Sequence, residues 1–116
     1  MPNSTEKGIG WKSEGLPPML RLELRLEAHV NLDVARQALR ESLAGLSAHY
    51  IRLGGIGLRY HRKQIENISP EGKLKVSLYP VEPTDTEVQR GRLKEIEGTV
   101  KAILPPLVTQ VDTTVF

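Results

Sequence analysis

The chain has 116 residues, 39% of them apolar, with 16 basic and 14 acidic side chains for a net charge of +2, and no cysteine. That length supports one domain with one core, and the near-neutral balance falls short of the basic excess of a dedicated nucleic-acid binder. Without cysteine there are no disulfides, thiolate metal sites or thiol nucleophiles, a composition that suits the cytoplasm.

Residues 1–18 are polar and rich in Gly, Pro and Ser, with no apolar run of the kind a signal peptide carries. They read as a flexible N-terminal tail ahead of a single domain over residues 19–116. The tail holds the only tryptophan, Trp11, which either folds back onto the domain or hooks a partner. No window approaches the roughly 20 apolar residues of a membrane span, so no membrane association is expected.

Residues 20–30, LRLELRLEAHV, alternate apolar and polar without a break. This is the pattern of a strand with one buried and one wet face, and on a 3.6-residue period the same leucines would leave no stripe to bury. Asn31 can cap a helix over 32–48, with Asp33 in its first turn and Leu32, Ala35, Leu39, Ser42 and Leu46 on its inner side. A glycine-rich turn follows, and then a second strand in which Ile56, Leu58 and Tyr60 point inward and the polar residues run on toward Asn67.

Ser69-Pro70-Glu71-Gly72 has the composition of a tight reversal, which predicts a hairpin into a third strand with Leu74, Val76 and Leu78 inside. Thr84-Asp85-Thr86-Glu87 reads as a capping box opened by Thr84. The second helix it starts buries Leu93, Ile96, Val100, Ile103 and Leu107, and places Glu97 and Lys101 as an i,i+4 pair. Gly91 and Gly98 share one side of that helix, where close packing by a neighbour is the expected reason for them. After Pro105-Pro106 the alternation of Leu107, Thr109, Val111, Thr113 and Val115 predicts a last strand.

The order strand, helix, strand, strand, helix, strand closes most economically as an α+β, ferredoxin-like βαββαβ sandwich. Its four-stranded antiparallel sheet would run 4-1-3-2 with both helices on one face. The first and third strands are then central neighbours, and Glu23 and Glu27 lie among Lys73 and Lys75 across the ladder.

Chemistry-bearing motifs are sparse. His29 and His61 would point from the open sheet face on strands roughly 10 Å apart, too far to share a metal, and His49 ends the first helix. No nucleophile stands beside a base, and no phosphate-loop, zincin or dinucleotide spacing occurs, so neither a catalytic residue, a metal nor a cofactor is assigned.

From Ser42 to Ile65 there is no acidic residue, and that interval holds Arg59, Tyr60, His61, Arg62 and Lys63. With Lys73, Lys75, Tyr79 and Trp11, the residues Arg59, His61, Arg62 and Lys63 form the candidate binding set. An RNA-recognition sheet would present aromatics from its two central strands, whereas Tyr79 is the one aromatic there. The expected function is therefore a non-catalytic protein-interaction or self-associating module with a protein partner or a second copy, using the sheet face or the edges formed by the second and fourth strands. Nucleic-acid binding through residues 59–63 is the alternative, and a small-molecule-binding or enzymatic domain of the same fold is the third.

Overall fold

The computed structural model describes residues 17–81 and 85–116. Trp11, Thr84 and nearly all of the expected tail lie outside the described residues. Pro18, the last residue assigned to that tail, is buried.

Strand β1, Leu20–Leu26, is the centre of the molecule. Leu20, Leu22, Leu24 and Leu26 are each at most 3% exposed, and Arg21, Glu23 and Arg25 take the other face. Each such leucine contributes about 1.5–3 kcal/mol by leaving water. The strand ends four residues before the alternation does. His29 adopts the left-handed region at φ 62° in the turn that follows, so it is an exposed turn residue and not a member of the sheet face.

Helix α1, Leu32–Arg52, is opened by Asn31, whose Oδ1 accepts the Val34 N–H at 3.1 Å. It runs one turn further than its apolar period because Tyr50, fully buried, is part of its core face. Gly55 allows this, since a Cβ there would stand 2.1 Å from the Tyr50 ring. Leu32, expected inside, is 40% exposed in the first turn.

The second strand is short. β2 is Leu58–Arg59, and Ile56, expected to be inward, is 66% exposed. The chain then forms a one-turn helix, α2 at Lys63–Glu66, in place of the expected continuing strand. Ile65, 1% exposed, pins that turn into the core. Ser69 to Gly72 is the reversal the sequence suggests, closed by Gly72 N–H to the Ser69 carbonyl at 2.9 Å with Gly72 at φ 81°. It joins α2, and not β2, to β3 at Lys73–Pro80, so β2 and β3 are antiparallel neighbours without forming a tight hairpin.

Helix α3, Thr86–Glu97, is capped by Asp85, whose Oδ1 accepts the Glu87 N–H at 2.8 Å. It stops at Gly98, and a short α4, Val100–Ile103, carries the chain to Pro105. The expected Glu97–Lys101 pair is absent. Glu97 instead accepts a hydrogen bond from the Thr113 hydroxyl at 2.7 Å. Close packing does not explain Gly91, because a Cβ there would meet nothing within 4 Å. Last comes β4, Val108–Val115.

The result is a small α+β fold with a four-stranded antiparallel sheet, ordered β2-β3-β1-β4, and four helices among the described residues, two more than expected. Leu39, Leu43 and Leu46 of α1 and Leu93 and Ile96 of α3 share one core cluster with the β1 leucines. The opposite face of the sheet is therefore left to the polar residues.

Candidate interaction surface

Strand register sets the composition of the open face. Reading across β3, β1 and β4, one row is Lys73, Arg25 and Gln110, the next Lys75, Glu23 and Asp112, and the next Ser77, Arg21 and Thr114. Only the Glu23–Lys75 contact pairs opposite charges. Arg25 faces Lys73, and Glu23 faces Asp112, arrangements in which direct neighbours repel. Glu27 lies beyond the strand, its N–H bonded to the Leu107 carbonyl, and so does not join the lysines as expected. Among the described residues no ion pair joins Glu23 or Asp112 to a cation. Glu23, Arg25, Lys73, Lys75 and Asp112 line an open depression of about 470 Å³. Further along, the Arg21 guanidinium lies 4.8 Å from the centre of the exposed Phe116 ring.

The candidate set divides into separate places. Lys73 and Lys75 lie on this face, and Arg59 is directly across from half-buried Tyr79 at the other end of β3. His61, Arg62 and Lys63 are off the sheet, at the start of α2, where His61 Nδ1 accepts the Lys63 N–H at 3.3 Å. Among the described residues no hydrogen bond or ion pair links these places, and no group of three or more His, Cys, Asp or Glu side chains could hold a metal ion. No helix among them is long and apolar enough to cross a membrane.

Hydrogen-bond parity brings out a surface that residue types alone do not mark. Met19 and Phe116 exchange N–H and carbonyl bonds, at 2.9 and 3.4 Å, so they form a hydrogen-bonded pair. Such pairs alternate in an antiparallel ladder. Arg21–Thr114 and Glu23–Asp112 are therefore bonded pairs as well. The residues between, Val111, Thr113 and Val115, direct their N–H and C=O groups away from β1, and no described residue bonds them.

The same parity on β3 sends the backbone groups of Lys73, Lys75, Ser77 and Tyr79 away from β1, but there all except those of Lys75 are met. Ser69 Oγ accepts the Lys73 N–H at 3.0 Å, Gln64 Oε1 accepts the Ser77 N–H at 3.0 Å, and Tyr79 pairs with Arg59. Among the described residues, the β4 edge alone is open along its length. From Gln110 to Val115 it carries one charged residue, Asp112, and no proline, and its only irregularity lies at the far end, where the register slips between Arg25 and Leu26.

Compared with known proteins, the sequence matches no family model and no curated protein.

Proposed function

We propose that this chain is a non-catalytic protein-interaction module that self-associates, with residues 19–116 forming one domain of ferredoxin-like βαββαβ topology. The observation that carries this is the β4 edge, which no described residue covers. An extended row of unpaired N–H and C=O groups is a template for another strand, and natural sheets normally blunt such edges with lysine, proline, bulges or a covering element. The β3 side shows the covering device in use. On the cysteine-free composition we place the module in the cytoplasm.

Its test is the solution mass over a range of about 1–100 μM, the concentrations at which a Kd of about 10 μM, some 7 kcal/mol of association, shows itself. A mass climbing from 12.9 kDa toward twice that value is expected. A mass constant at the single-chain value throughout overturns the proposal.

Nucleic-acid binding is the second reading, favoured by one observation, the register that sets Arg59 directly opposite Tyr79. It requires micromolar RNA binding that weakens steeply with salt and disappears when Arg59, Arg62 and Lys63 are all replaced by glutamine. The mixed charge of the face, with Glu23 and Asp112 beside the lysines, ranks it below self-association.

A further inference from the structure

We infer that the strand received by the β4 edge is β4 of a second copy, running antiparallel about a two-fold axis at Thr113. This rests on the self-association proposed above and specifies its surface and register. Two facts restrict the pairing. A symmetric contact between two copies is isologous, so each residue faces its mirror position about one centre. Only Val111, Thr113 and Val115 offer outward backbone groups, so these must face one another.

Four centres satisfy the parity, and they are not equivalent. A centre at Asp112 sets two carboxylates directly opposite, each already beside a Glu23, which is the costliest arrangement the strand can make. With the axis at Val111, Thr113 faces Thr109, the position beside the register slip, and Val115 faces Leu107, beyond the strand. An axis at Thr114 uses only Thr113 and Val115. With Thr113 at the axis, Val111 meets Val115 twice and Thr113 meets itself, three bonded pairs and so about six backbone hydrogen bonds. β-Branched residues facing one another across strands are also among the favourable cross-strand neighbours.

Charge supports the same centre. In the single chain Asp112 faces Glu23 and, among the described residues, bonds no cation. In the Thr113-centred pair it stands beside the partner's Thr114, whose hydroxyl can donate to it. The partner's Arg21 is then two strands away, roughly 10 Å between backbones from the usual strand spacing of about 4.8 Å. An arginine side chain spans most of that distance, and Arg21 already leans toward the β4 edge over Phe116. Association thus brings a donor and a cation toward a carboxylate that the isolated sheet sets beside another.

The cysteine-free chain allows a clean test. In this register Asp112 and the partner's Thr114 form a non-hydrogen-bonded pair with Cα atoms about 4.5 Å apart, inside the range a disulfide bridges. Both residues are exposed, so single cysteines there leave the core untouched. An equimolar mixture of D112C and T114C chains, oxidised mildly, should give a disulfide-linked dimer, while each variant alone should remain unlinked. Self-linking of D112C or of T114C moves the axis and overturns the register. A wild type that doubles its mass while the mixture stays unlinked shows association by another surface, which overturns this inference and leaves self-association standing. A wild type that remains a single chain overturns both.

Discussion

The two sides of this sheet handle the same problem in opposite ways. On the β3 side the outward backbone groups, all but those of Lys75, are met in turn by the Ser69 turn, the Gln64 side chain and β2. On the β4 side, the outward backbone groups of Val111, Thr113 and Val115 have no partner among the described residues. Both are edges of one antiparallel sheet, so the difference arises from what the chain places beside them. The lesson is that an edge is protected here not by a long outer strand but by a two-residue strand plus one turn of helix. The other edge, straight and β-branched, is the one we propose receives a further strand.

The most damaging way to break the comparison is to remove the strand both edges rest on. Leu24 is 3% exposed and faces Leu74 across the ladder. Leu24→Asp would bury an unpaired carboxylate, at a cost of about 4 kcal/mol or more, a large share of a small domain's stability. Circular dichroism should show loss of the cooperative thermal transition. A variant that still melts cooperatively near the wild-type temperature would mean that the leucines are not the core face.

A smaller effect tests the covered edge alone. Ile65 holds α2 against β3, and Ile65→Ala should cost about 2–4 kcal/mol by transfer and cavity effects. The sharper readout is amide exchange. Ser77 N–H bonds only the Gln64 side chain, so loosening α2 should speed its exchange far more than that of Leu78, which lies in the β1–β3 ladder. Equal acceleration at both amides would show that α2 stabilises the domain as a whole and is not a local cover.

How much of this was legible in the chain follows from where periodicity exists. The strands β1, β3 and β4 and the helix α1 have enough residues to show a period of 2 or 3.6, and the Asn31 cap acts through its side chain as its position suggests. Helix α2 has four residues and one buried apolar side chain, too little to carry a period, so the polar stretch after Tyr60 read as strand. That error carried His61, Arg62 and Lys63 onto the sheet, whereas Lys73 and Lys75, within a true alternation, fell on the expected face. The Gly98 break was hidden because Leu93, Ile96 and Val100 keep helical spacing across it. The open backbone of β4 was out of reach for a different reason. Which residues turn their N–H groups outward depends on which side of the strand its neighbour lies, a property of the topology and not of any side chain.

The mildest change for the fold is the most telling for the β4 edge. Thr113 presents its N–H outward, and proline is tolerated in strands only where that group faces solvent. Thr113→Pro should therefore keep the β1–β4 ladder intact. It loses the hydroxyl bond to Glu97 and should cost about 1 kcal/mol in urea unfolding. The residue before it, Asp112, is already extended, the conformation a following proline favours. For a pairing centred on Thr113 the same change is severe, because it removes both backbone bonds donated at the axis and sets two pyrrolidine rings against each other. Solution mass should fall to that of a single chain at concentrations where the wild type is associated. Should the variant unfold outright, Thr113 N–H must already be engaged, and the edge would not be open. If it folds and still associates as the wild type does, the contact lies elsewhere, and the charged sheet face becomes the surface to test.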